Sequence, residues 1–229
     1  MAKLFLLRHF KSQWNFENRF TGWVDVPLIK ENPKKIKEIA KQIFKFKISK
    51  IYSSPLFRNK QSVFEILKYT KKYPIFIHLD KGKMKDWGKF REINKNYLPV
   101  YISEKLNERY YGKLQGENKK EMMKKYGKEN VHLWRRGFEN RPPGGESLKD
   151  VYKNRTTPFY KKYILKDLKK GENILIVASH NSLRALAKYI EKMPDDKIID
   201  FEISYGGLIK YDFDKLLNIK KKSTLFSAS

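Results

Sequence analysis

The chain has 229 residues, a hydrophobic fraction of 40%, four tryptophans and no cysteine; that is enough apolar material for a full core, and it excludes a disordered chain, disulfides, thiolate metal sites and a cysteine nucleophile. The formal charge of +26 admits two readings, a nucleic-acid or membrane-surface footprint and a lysine-rich surface that reflects biased composition, helped by an anionic substrate. The 41 lysines are scattered over every segment and no zinc-finger or RNP-like motif accompanies them, so the second reading is preferred; separately, no apolar run approaches the length of a membrane span.

In chain order, Lys3 to Leu7 holds the apolar run Leu4-Phe5-Leu6-Leu7 and predicts a buried strand. The run is too short for a secretory signal and is closed by Arg8, so a cytoplasmic protein is expected. Pro33 to Phe46 places Ile36, Ile39, Ala40, Ile43 and Phe44 at helical spacing. Lys50 to Tyr52 reads as a short strand ending in Ser53-Ser54-Pro55, and a helix with Val63, Ile66 and Leu67 on one face follows. Pro74 to His78 reads as a strand. Ser147 to Leu168 reads as a long helix broken or re-entered at Pro158, with Gly171 ending it. Asn173 to Ala178, continuously apolar from Ile174 on, reads as a central parallel strand. A helix over Ser182 to Lys192, a strand over Leu208 to Phe213 and a frayed tail from Lys220 to Ser229 complete the chain. This alternation predicts an α/β three-layer sandwich, a mostly parallel central sheet with helices on both faces.

The first strand ends in Arg8-His9 and turns into Phe10-Lys11-Ser12-Gln13-Trp14-Asn15. Open α/β sheets bind ligands at the carboxyl ends of their strands. There, an arginine fork can grip a phosphate while a neutral imidazole nitrogen attacks phosphorus.

This block resembles the Arg-His-Gly signature of the histidine phosphatase superfamily. Within it, the chain resembles the cofactor-dependent phosphoglycerate mutases through five further stretches: Asn18-Arg19-Phe20-Thr21-Gly22-Trp23, Leu106-Asn107-Glu108-Arg109-Tyr110-Tyr111-Gly112, Trp134-Arg135-Arg136-Gly137-Phe138, Pro142-Pro143-Gly144-Gly145-Glu146-Ser147 and Asn181-Ser182-Leu183-Arg184-Ala185. Seven of the ten arginines fall in such motifs (Arg8, Arg19, Arg109, Arg135, Arg136, Arg184 and, after the similarly matching turn Ser53-Ser54-Pro55-Leu56-Phe57, Arg58), whereas the 41 lysines are scattered.

The resemblance implies interconversion of 3- and 2-phosphoglycerate through a phosphohistidine, with 2,3-bisphosphoglycerate as the priming donor and no metal. It makes His9 the nucleophile and sets Arg8 and Arg58 on the transferring phosphoryl group. Glu108 becomes the proton donor and acceptor, a task suited to a carboxyl of raised pKa. Tyr111 would donate a hydrogen bond to substrate, and Lys119, Arg135 and Arg136 would hold its far end. Adjacent helical arginines point about 100° apart, so that pair needs a helix terminus or a bend. Ser12, Asn15, Thr21, Gly22 and Asn181 complete the expected substrate contacts. The expected partner is a small phosphorylated molecule; a homodimer is the default assembly.

Three positions depart from the pattern. Phe10 replaces the signature glycine, so its ring must point elsewhere or shrink the pocket, and Lys11 replaces an acidic residue. The second histidine lies in a His-Gly-Asn-Ser-Leu-Arg pattern, but here the text is Ala178-Ser179-His180-Asn181-Ser182. Aligned without a gap, Ser179 takes the histidine position; with one glycine deleted, His180 does, and this reading is preferred because a serine offers no ring N–H. The chain also carries about two dozen surplus residues between Arg58 and Leu106. The organisation expected is one domain over 1–229 with an insertion around 74–100, pinned by Trp87 and Phe90. Two alternatives remain: a histidine-dependent phosphomonoesterase on the same fold, and a catalytically impaired phosphate-binding homologue.

Overall fold

The computed structural model describes residues 1–87 and 94–227. One seven-stranded sheet runs in the order β3-β4-β2-β5-β1-β6-β7. The strands are β1 (Lys3–Arg8), β2 (Ile48–Ser53), β3 (Tyr73–His78), β4 (Tyr97–Ile102), β5 (Asn173–Ala178), β6 (Leu208–Phe213) and β7 (Ile219–Phe226). The first five in spatial order are mutually parallel; β6 runs antiparallel to β1, and β7 antiparallel to β6. Period-two alternation sends neighbouring residues of each central strand to opposite faces. Leu4, Leu6, Ile174 and Ile176 enter one core, with Phe159, Ile164, Leu183 and Leu186. Phe5, Leu7, Leu175 and Val177 enter the other, with Ile36, Ile39, Val63 and Ile66. Each such side chain, fully removed from water, contributes about 1.5–3 kcal/mol, and the continuous apolar runs of β1 and β5 follow from burial on both faces.

The helices that matter to the site are α1 (Gln13–Phe16), α2 (Pro33–Phe44), α3 (Phe57–Leu67), α4 (Lys83–Trp87), α5 (Lys119–Tyr126) and α6 (Lys128–Arg136). A helical run over 148–169, here α7, and α8 (His180–Glu191) follow. Helix α2 has Pro33 at its first turn and Asn32 as its cap, Oδ1 accepting from Lys34 N–H. The helix expected to be broken or re-entered at Pro158 winds through it without interruption. Two π-wound segments, Val151–Thr156 and Tyr160–Ile164, flank the turn Thr157–Phe159, opening the hydrogen-bond ladder where proline has no N–H to give.

The tail is also a correction. Ile219–Phe226 pairs along β6 instead of fraying. Its lysine-rich text has no apolar alternation, but edge pairing needs only backbone donors, and Leu225 and Phe226 anchor it against the core. In the insertion, β3 is found where expected, and β4 beside it was not anticipated. Phe90 and the Trp87 side chain, expected to pin this segment, lie outside the described residues.

Candidate active site

Four adjacent parallel strands deliver chemistry from their carboxyl ends. Arg8 closes β1 and His9 follows it; Arg58 sits in the first turn of α3, after β2; Glu108 lies beyond β4; His180 opens α8 after β5. Register puts Arg8 level with Ala178 and Ser53 level with Val177 and Ile102, so the following loops converge. Together with α5 and the end of α6 they enclose a cavity of about 280 Å³.

His9 is buried, and its Nδ1 lies 2.6 Å from the Phe10 carbonyl. A carbonyl can only accept, so Nδ1 carries the proton and Nε2 keeps its lone pair. Burial, then Arg58 and Arg8, hold the ring well below the ordinary histidine pKa, so it is neutral at pH 7. His180 lines the same cavity. Burial and the guanidinium groups of Arg8, Arg184, Arg136 and Arg109 keep it neutral too. Its Nε2 is buried without a hydrogen bond; the nearest carboxylate oxygen, Glu202 Oε1, is 3.1 Å away but out of line.

The cations are held by backbone oxygen. Arg58 donates to the carbonyls of Val24 and Gly22 at 3.0 and 2.7 Å, and burial pulls its pKa down to about 10. Arg8 donates to the Ile203 carbonyl at 2.5 Å and stacks 3.8 Å over the Tyr205 ring. Lys119 donates to the Arg19 carbonyl at 2.7 Å; burial, then Arg135 and Arg8, lower its pKa to about 8. Glu108 is buried and accepts from the N–H groups of Arg109 (2.7 Å) and Asn181 (3.2 Å). Six cationic side chains therefore face two carboxylates, Glu108 and Glu202, around the cavity. The surplus suits a ligand with several negative charges.

The sequence matches the histidine phosphatase superfamily (branch 1) over residues 4–94 and 89–217. The chain belongs to this superfamily. Among its relatives, a 2,3-bisphosphoglycerate-dependent phosphoglycerate mutase of Methanococcus vannielii is 45% identical over 94% of this chain and 92% of its own. One of the same name from Protochlamydia amoebophila is 39% identical over 97% of this chain and all of its own. Similar solved structures include Bacillus stearothermophilus YhfR (TM-score 0.75, 20% identity, 100% and 98% coverage) and a mycobacterial glucosyl-3-phosphoglycerate phosphatase (0.73, 18%, 100% of both chains). At that identity they bear on the fold, which is that of the superfamily.

Of the site residues expected for a histidine phosphatase of the mutase kind, Arg8, His9, Asn15, Thr21, Gly22, Arg58, Glu108, Tyr111, Lys119, Arg135, Arg136, His180 and Asn181 line the cavity. Ser12 does not. Its hydroxyl caps α1, accepting from Asn15 N–H and donating to Asn15 Oδ1 at 2.8 Å. Tyr111 accepts from Asn181 Nδ2 at 3.1 Å. Arg135 and Arg136 are the last two residues of α6, the helix terminus their pairing needs. Gly22 has φ +54°, and a Cβ there would meet the Gln115 amide, whose oxygen accepts from Trp23 N–H.

The departures have plain outcomes. The Phe10 ring turns into the core beside Phe5 and Leu7, against Gly206, where a Cβ would come within 3.0 Å of it. Lys11 reaches over the Phe16 ring, outside the cavity lining. Ser179 is the fully buried N-terminal cap residue of α8, its hydroxyl 3.2 Å from Asn59 Nδ2 and behind Arg58. The imidazole in the cavity at this turn is His180.

Sequence reasoning missed Arg19, Phe20, Glu202 and Tyr205 as lining residues. The first two stood in a quoted motif; the last two gave no local signal. It also left Arg109 and Arg184 without roles. Both are fully buried and donate to the Arg135 carbonyl, at 2.9 and 3.5 Å, and Arg184 also holds the Arg136 carbonyl at 2.8 Å. They fix the carboxyl end of α6, where cations are electrostatically favoured.

Proposed function

We propose that this protein interconverts 3-phosphoglycerate and 2-phosphoglycerate through a phosphohistidine on His9. The observation that carries the reading is a neutral imidazole, its Nε2 lone pair free, inside a cavity ringed by cations, in a chain whose near-full-length relatives bear the mutase name.

His9 Nε2 attacks phosphorus in line, forming the N–P bond as the P–O bond to the leaving oxygen breaks. Arg8 and Arg58 hold the equatorial oxygens and offset their charge in the transition state. Glu108 takes the proton of the attacking substrate hydroxyl and returns one to the leaving oxygen. His180 offers its unpartnered Nε2 side to the phosphoryl group. Lys119, Arg135 and Arg136 hold the carboxylate and the phosphate that is not being transferred. Asn15, Thr21, Gly22, Tyr111 and Asn181 contact the substrate, and Ser12 acts by fixing Asn15. The residues fit 2,3-bisphosphoglycerate: a buried imidazole nitrogen without a partner and a surplus of cations suit its two phosphates and carboxylate. When bound, it supplies the priming phosphoryl group.

A homodimer, one domain over 1–229 and a cytoplasmic place belong to the same reading; sedimentation velocity tests the first. No helix among the described residues is long and apolar enough to cross a membrane.

The test is to mix purified protein with 3-phosphoglycerate, a trace of 2,3-bisphosphoglycerate and EDTA, and to follow products by phosphorus NMR. Appearance of 2-phosphoglycerate is expected. Its absence, where a control mutase works, refutes the reading; free phosphate outpacing isomerisation replaces it with the phosphomonoesterase.

A further inference from the structure

Two carboxylates face the cavity, and only Glu108 has work in the mechanism. Glu202 stands on the segment between the 3-10 turn Lys197–Ile199 and β6. Its Oε1 lies 3.3 Å from Arg8 Nη1 and 3.1 Å from His180 Nε2, and its Oε2 accepts from Arg136 Nη1. The Arg8 and Arg136 N–H groups are donors that an incoming oxyanion needs, and one N–H cannot serve two anions in line at once.

The surroundings separate Glu202 from a structural strut. Arg8 is also held by the Ile203 carbonyl and the Tyr205 ring, so it keeps its place without the carboxylate. The end of α6 is fixed through its own carbonyls by Arg109 and Arg184. Glu202's side chain is 44% exposed, so it has a solvent-facing path out of the cavity. Buried Glu108, held by two backbone N–H groups, has none.

We infer that Glu202 is a tethered competitor for the phosphate cradle. Its carboxylate takes the Arg8 and Arg136 forks between turnovers, and a bound oxyanion displaces it outward. It thereby weakens the hold on every phosphorylated ligand and eases product departure from a strongly cationic cavity. This rests on the proposed reading of the cavity as a phosphoryl site.

The test uses the whole protein and inorganic phosphate as the probe. Binding is measured by titration calorimetry at constant ionic strength for the wild type, Glu202→Gln and Glu202→Ala, with thermal melting to check folding. A half-exposed ion pair is a modest competitor, so both variants should bind phosphate roughly three- to tenfold more tightly. KM for 3-phosphoglycerate should fall by a similar factor. A strut predicts the opposite sign: phosphate binding unchanged or weaker in both variants overturns the inference and leaves the phosphoryl-site reading standing. Wild-type protein that binds no phosphate brings down that reading, and this inference with it.

Discussion

The cavity and the β7 edge carry the same sign of charge by different means. On β7, Lys220, Lys221 and Lys222 are exposed; Lys222 pairs with Glu191 at 3.0 Å. Lysines there keep the edge from pairing with another chain and add solubility. In and behind the cavity the cations are mostly arginines anchored on carbonyls, and burial pulls Arg58 down to about 10 and Arg184 to about 9. Desolvation opposes the charge there, and the planar fork is what lets one residue hold backbone and ligand together. Net charge therefore says little about function in this protein; the location of the arginines says much more.

The comparison is broken most severely at His9. His9→Asn should lower the mutase rate by at least about 10³-fold and abolish phosphate labelling of the protein, measured with labelled donor after a quench. Arg58→Lys keeps the charge and loses the fork; kcat should drop about 10²-fold in steady-state kinetics, with melting nearly unchanged. Arg184→Met removes the fork from the end of α6. A loss of about 3 kcal/mol in urea unfolding is expected, with a raised KM as Arg135 and Arg136 shift.

Lys119 sharpens the contrast through pH. Its pKa is lowered to about 8 in the free protein, so the ammonium is present below pH 8 and is lost as pH rises through that value. Phosphate affinity should therefore weaken by roughly three- to tenfold between pH 7 and 9, measured by calorimetry, and Lys119→Met should flatten the profile. The smallest effect belongs to the surface. Replacing Lys220, Lys221 and Lys222 by Gln should leave kcat unchanged and shift stability by no more than about 0.5 kcal/mol.

The sequence by itself determined the two-faced strands β1 and β5, the helices α2, α3, α7 and α8, the α/β layering and the Arg8-His9 pair, because hydrophobic period and a local motif act within one element. Helix geometry also required a terminus or a bend at Arg135-Arg136, and the structure has the terminus. Tertiary structure alone decided that His180, with Ser179 behind it, lines the cavity, since one deleted residue at a strand-to-helix turn changes which side chain faces inward. It decided that Phe10 turns into the core, because the room beside it is made by Gly206 on a distant segment. It brought Glu202 to Arg8 across 194 positions. It also paired the lysine-rich tail as β7, since ladder hydrogen bonds between backbones leave no trace in side-chain pattern. Contacts of that kind depend on strand order and loop course, which no local window of sequence contains.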